Sequence, residues 1–124
     1  MRFLVKATIP VEAGNTLVSD PNFGKRLEEI TQDLKPEAVY FAIEGGQRTI
    51  FFVVNITDAS QTPAIAEPLW LSLNADVEFI PVMNQADMAK AVPSIARAAQ
   101  KYAPGAGTGT TSRSQRRVRE MAGK

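Results

Sequence analysis

The chain contains no histidine and no cysteine among its 124 residues. Without cysteine there are no disulfides, no thiol nucleophiles and no cysteine-ligated zinc or iron–sulfur centres within this chain. Without histidine it lacks the most common general base and metal ligand, which is also the usual pH switch near neutrality. What remains is chemistry based on carboxylate, lysine, tyrosine or arginine groups, ligand binding, or no chemistry at all.

Long apolar runs are absent as well. No segment approaches the roughly 18 consecutive apolar residues that a membrane-spanning helix needs. The opening Phe3-Leu4-Val5 run is too short for the core of a signal peptide. Hydrophobic residues make up 44% of the chain and charged residues 22%, which is typical of a globular domain with a modest core. We therefore expect a cytoplasmic protein.

The net charge of +1 conceals an uneven distribution. Residues 1–103 carry nine basic and twelve acidic side chains, whereas residues 104–124 carry five and one. A glycine-rich run begins at Pro104 and has the composition of a linker. The sequence thus predicts a folded domain over 1–103 and a flexible basic tail over 104–124. We expect the tail to serve solubility or assembly. The alternative is weak binding of nucleic acid, although the tail has no aromatic residue to stack on bases.

Hydrophobic periodicity predicts a β-α-β-β-α-β order followed by a C-terminal helix. Gly45-Gly46 indicates a hairpin between the second and third strands, and Pro81 restricts the fourth strand to a sheet edge or a bulge. The fold class is therefore α+β, with a ferredoxin-like antiparallel sheet and two helices on one face. The predicted strands are 3–9, 39–43, 50–56 and 77–83, and the predicted helices are 21–34, 63–74 and 85–102.

Three features modify these elements. Gly14-Asn15 indicates an irregular segment between the first strand and the first helix. Pro68 is expected to kink or delay the second helix, and Pro93 is expected to divide the C-terminal helix into two short pieces.

The second, third and fourth predicted strands are apolar on both faces, whereas a sheet with one solvated face alternates apolar and polar residues. Residues 50–54, for example, form an unbroken apolar run. Two helices cover one face, so the other face needs a second cover. The candidates are the C-terminal helix and a second copy of the chain, and we favour a homodimer or a higher homo-oligomer.

The element order, the apolar strands and the span of about 100 residues resemble the dimeric α+β-barrel superfamily. In that superfamily two ferredoxin-like protomers pack sheet against sheet. The helix containing Trp70, followed by segment 75–82 (ADVEFIPV), is similar to the ending of several short bacterial members of unknown role. More distant members include muconolactone isomerase, antibiotic-biosynthesis-type monooxygenases and haem-dependent relatives, whose proximal histidine has no counterpart here. The resemblance implies a site between helices and sheet or inside the barrel.

Polar residues within the apolar strands are the candidates for chemistry. Because the first and fourth strands are neighbours in this order, Lys6 and Glu78 are expected to lie side by side. They act as acid and base, form a structural ion pair, or are two solvated strand residues. Tyr40 either donates to a substrate oxygen or is a core tyrosine, and Asn55 either orients a carbonyl or caps a loop. The candidate catalytic set is Glu78, Lys6, Tyr40 and Asn55.

Three further residues are candidates for substrate binding: Trp70, Phe52 and Arg48. Trp70 either lines a pocket for an aromatic ligand or joins the core, and Arg48 either grips an anion or only flanks the Gly-Gly turn. No cofactor and no metal are expected. The sequence favours binding of a small apolar or aromatic ligand, or a role in assembly. The alternative is a cofactor-independent isomerase or monooxygenase.

Overall fold

The computed structural model describes residues 1–105. The predicted basic tail, apart from its first two residues, lies outside the described residues. The chain divides into two compact units, Met1–Val82 and a second unit that begins at Met83. All four strands belong to the first unit, so the sheet and its helices are considered first.

Four antiparallel strands form one sheet in the order β2-β3-β1-β4. This architecture confirms the predicted α+β class and antiparallel sheet, and it is compatible with a ferredoxin-like arrangement. Pro81 ends β4, which is an edge strand as its proline requires, because proline has no N–H to donate to a ladder. The strands are β1 (Arg2–Ile9), β2 (Ala38–Glu44), β3 (Gln47–Asn55) and β4 (Asp76–Pro81).

The hairpin between β2 and β3 forms as predicted. Gly45 and Gly46 have φ values of +59° and +75°, and the pair Glu44–Gln47 closes the turn. Positive φ at both central residues gives the two-residue turn whose twist matches that of the flanking strands. Glycine adopts this conformation without the steric penalty of a side chain.

The hydrophobic core lies between one sheet face and three helices. We call this sheet face the helix face; it carries Val5, Ala7, Ile50, Phe52 and Val54, all of which are buried. The buried helix residues of the same cluster are Ile30, Ile65, Leu69 and Leu73. The helices of this unit are α1 (Val11–Val18), α2 (Phe23–Leu34) and α3 (Thr62–Leu73), with a 3₁₀ turn (Ala59–Gln61) before α3.

The segment after β1 is a helix, and the prediction of irregular chain there was wrong. α1 includes Gly14, whose N–H donates to the Pro10 carbonyl at 2.8 Å. Glycine disfavours a helix interior by about 1 kcal/mol relative to alanine. A tertiary contact explains its presence, because Gly14 is buried beneath a side chain from β3 that is described below.

α3 continues through Pro68 to Leu73, where Asn74 ends it in the left-handed conformation with φ of 52°. Ile65, Leu69 and Leu73 are spaced four residues apart and form its buried face. Trp70 lies about 100° around the helix from Leu69 and is 47% exposed. The alternative that Trp70 joins the core was therefore wrong.

The described part of the second unit consists mainly of α4 (Gln85–Tyr102). Asn84 and Asp87 form a capping box at its start. The helix is continuous at Pro93, so the predicted division was wrong. A proline ring fixes φ near a helical value, and the helix proceeds with one hydrogen bond fewer. Within residues 1–105, no helix has both the length and the apolar character required to cross a membrane.

Candidate functional site

Three of the four candidate catalytic residues lie in one row on the second sheet face, which is the face opposite the helix face. The strand register pairs Tyr40 with Phe51, Phe51 with Lys6, and Lys6 with Glu78. The row therefore crosses all four strands, and the predicted adjacency of Lys6 and Glu78 on neighbouring strands is confirmed. Phe51 separates Tyr40 from the charged pair.

Lys6 is held by a carboxylate other than the one predicted. Its Nζ donates to Glu44 Oε1 from the end of β2. This hydrogen bond is the main reason why the pKa of Lys6 is raised above its usual 10.5, and the charges of Glu44 and Glu78 act in the same direction. A raised pKa keeps the side chain an ammonium at neutral pH. Lys6 is thus a fixed cation here, whereas a general base requires a neutral amine.

Tyr40 and Asn55 occupy separate parts of the sheet. Tyr40 is 62% exposed, so the alternative of a core tyrosine was wrong. Asn55 is the last residue of β3, and its Oδ1 accepts a hydrogen bond from the amino group of Met1 at 2.8 Å. Asn55 is paired with Arg2, four positions along β1 from Lys6. It is therefore remote from the row that contains Lys6 and Glu78.

The helix face carries an apolar cleft that the sequence did not reveal. It lies between the first turns of α2 and the strands β1, β2 and β3, and its volume is about 200 Å³. Phe23 and Leu27 of α2 lie on one side and are only half-buried, whereas Ile30, one turn further on, is buried. The residues that line the cleft are Ile9, Phe23, Leu27, Phe41, Ala42, Arg48, Thr49 and Ile50.

Arg48 is the one charged residue that lines this cleft. Its Cα is paired with Ile9 on one side and with Ile43 on the other. The side chain extends to α1, where Nη2 donates to Asn15 Oδ1 at 3.3 Å. A Cβ on Gly14 would lie 2.5 Å from Arg48 Nη1. Because glycine has no Cβ, the guanidinium can occupy this space.

Of the three residues predicted to bind substrate, the structure brings only Arg48 to the cleft. Phe52 is completely buried in the core, and Trp70 lies on α3 outside the lining. Phe23 and Leu27 recur at the four-residue spacing of a helical stripe in the sequence, but such spacing does not show which turns of the helix are covered. The helix-breaking dipeptide Gly14-Asn15 was a signal of a close contact, although it did not reveal the partner.

Among residues 1–105, no three Asp or Glu side chains are placed to hold a metal ion. No protein-family model, curated protein or solved structure matches the chain. The function is therefore inferred from the geometry of the described residues.

Proposed function

We propose that this chain binds a small apolar or aromatic ligand in the cleft beside α2. The observation that carries this proposal is the lining itself. Five large apolar side chains from four different elements converge on one space without filling it: Ile9, Phe23, Leu27, Phe41 and Ile50. Close packing is the normal state of a protein interior, so such a space is a candidate site for a ligand that completes the packing.

The volume restricts the size of the ligand. A cavity of about 150 Å³ lined by Leu, Ile and Phe binds benzene, whereas pockets for drug-sized molecules measure about 300–1,000 Å³. At about 200 Å³ the cleft accommodates one aromatic ring or an aliphatic chain of similar volume. The part of the ligand that lies in the cleft is therefore a single ring or a short branched chain.

Toluene is a suitable probe for this proposal. We expect it to cause saturable shifts in the amide NMR signals of cleft residues, while signals on the second sheet face do not move. Leu27→Trp fills the cleft with a larger side chain and is expected to abolish these shifts. Leu71→Trp is the matched control, because Leu71 is exposed on α3. Equal shifts in both variants, or no saturable shift in the natural sequence, would contradict the proposal.

We also propose that two copies of the chain associate with β2 in the interface. β2 is an edge strand whose first six residues are apolar. Tyr40 on the second face is 62% exposed, and Ile43 on the helix face is 85% exposed. A long apolar edge strand favours pairing with another chain unless it is covered. In the barrel arrangement that the sequence resembles, the second faces of two protomers would meet.

Light scattering at micromolar concentration tests this association. We expect a dimer for the natural sequence and a monomer for Tyr40→Glu, since the interface would bury an unpaired charge. Ile43→Glu places the same charge on the other face of the same strand, and Leu71→Glu places it on α3. Dissociation by Ile43→Glu alone would exclude the barrel arrangement. A monomer without any substitution would exclude the dimer.

A further inference from the structure

We propose that the cleft beside α2 selects against hydrogen-bonding groups. The part of the ligand that it holds is an uncharged ring or branched alkyl group, and any hydroxyl, amine, amide or carboxylate of the ligand lies outside. This inference rests on the proposed ligand-binding function and specifies the chemical class of the bound group. It follows from where the polar groups of the lining residues lie and from the open side of the cleft.

The charged group of Arg48 is held at α1. Its Nη1 and Cζ lie against Gly14, in the space that a Cβ would occupy, and its Nη2 donates to Asn15 Oδ1 at 3.3 Å. The surface of the cleft is almost wholly apolar, and its lining includes no residue of α1. Arg48 therefore lines the cleft with the aliphatic part of its side chain, while its N–H donors lie at α1.

Thr49 is the other residue of the lining that has a polar side chain. Its hydroxyl donates to the carbonyl of Gln47 at 3.1 Å. Side chains alternate along a strand, so Thr49 belongs to the second face and its neighbour Ile50 to the helix face. The backbone N–H and C=O groups of β3 point along the sheet to β2 and β1, with which they form ladders. They are therefore not directed at the cleft.

The other side chains of the lining are hydrocarbon. A hydroxyl or amine buried among them loses its hydrogen bonds to water and gains none in return. Such a loss lowers affinity about ten- to a hundredfold, even for an analogue of the same size. The cleft thus distinguishes toluene from phenol, in which a hydroxyl replaces the methyl group.

The cleft is open on the side of β2. Phe41 lines it and is 66% exposed, and the next lining residue of β2, Ala42, is exposed as well. A chain attached to the bound ring can leave the cleft there, and a polar group at the end of that chain stays in water. The position of a polar group in the ligand, rather than its presence, therefore determines affinity.

Isothermal titration with two pairs of ligands tests the proposal. We expect toluene to bind about ten- to a hundredfold more tightly than phenol, because the phenol hydroxyl is buried without a partner. Propylbenzene and phenylpropanol, with its hydroxyl at the end of the chain, should bind with nearly equal affinity. The two pairs differ in whether the hydroxyl lies inside the cleft or outside it.

Two variants at Leu27 separate hydrogen bonding from shape. Leu27→Gln places an amide beside the bound ring, because Leu27 lines the cleft. It should reduce the advantage of toluene over phenol about fivefold, which is the scale of one hydrogen bond. Leu27→Met is the matched control. Methionine has a similar volume without a strong donor or acceptor, so this variant should keep the advantage of toluene.

The outcomes distinguish this inference from the proposed function. If toluene binds but phenol binds as tightly, or if Leu27→Gln leaves the advantage of toluene unchanged, the selection against hydrogen-bonding groups is overturned and the proposed function stands. Much weaker binding of phenylpropanol than of propylbenzene would contradict the open side at β2 and overturn the inference in the same way. If no probe binds saturably, both the inference and the proposed function are overturned.

Discussion

Replacing Phe52 by alanine is expected to lower the free energy of unfolding by about 3–5 kcal/mol. Phe52 has no exposed surface and lies in the central strand β3, between Val5 of β1 and Val39 of β2. The loss combines the transfer free energy of the ring with the cavity that it leaves behind. A domain of this size is stable by about 5–15 kcal/mol, so the variant loses a large part of its stability.

Urea denaturation followed by circular dichroism measures this effect. Phe51→Ala is the matched control, since Phe51 is the same residue type in the same strand but is half-buried on the second face. We expect its destabilisation to be less than half that of Phe52→Ala. Equal losses at the two positions would mean that the two sheet faces are equally buried. That result would contradict the separation between helix face and second face.

Replacing both Gly45 and Gly46 by valine is expected to destabilise the β2–β3 hairpin by about 2–4 kcal/mol. Both glycines have positive φ, a region that costs a residue with a Cβ about 1–2 kcal/mol. β-branched side chains are the least tolerant of it. Because β2 is an edge strand whose ladder of backbone hydrogen bonds is with β3, we expect amide hydrogen exchange to accelerate first in β2.

The same double variant should weaken toluene binding, because β2 contributes Phe41 and Ala42 to the cleft.

Gly24→Ala is the matched control for the glycine substitutions. Gly24 lies in α2, its φ is not positive, and the position that an alanine methyl group would take has no neighbouring atom within 4 Å. We expect this change to alter the stability of the chain by less than about 1 kcal/mol, since Gly24 lies in the first turn of α2 and not in its interior. Normal exchange in β2 of the valine variant would show that the turn does not determine the hairpin.

Local signals in the sequence were sufficient to predict most of the fold. Adjacent glycines gave the hairpin, a proline placed β4 at an edge, and the spacing of Phe23, Leu27, Ile30 and Leu34 gave α2. Each of these signals depends on a few neighbouring residues, so it can be recognised from the order of residues in the sequence. α1 was missed because glycine is unfavourable in a helix. The contact that accounts for Gly14 is with Arg48, which lies 34 positions further along the chain.

The candidate site was predictable only in part, and for the same reason. The polar residues within the strands were visible, and alternation together with strand order correctly placed Lys6 beside Glu78. The partner of Lys6 could not be predicted, since Glu44 reaches Lys6 across the intervening strand β3. Arg48 was identified as a possible anion contact from its place beside the turn, but the apolar cleft next to it was not.

The sequence itself determined three features: the absence of histidine and cysteine, the antiparallel α+β fold, and the apolar character of β2. Composition, periodicity and turn residues are properties of the chain before it folds. The tertiary structure alone decided that Phe23 and Leu27 leave a cleft open, and that Gly14 admits the guanidinium of Arg48. Both depend on how α1 and α2 pack against the sheet, and such packing joins residues that no local pattern connects.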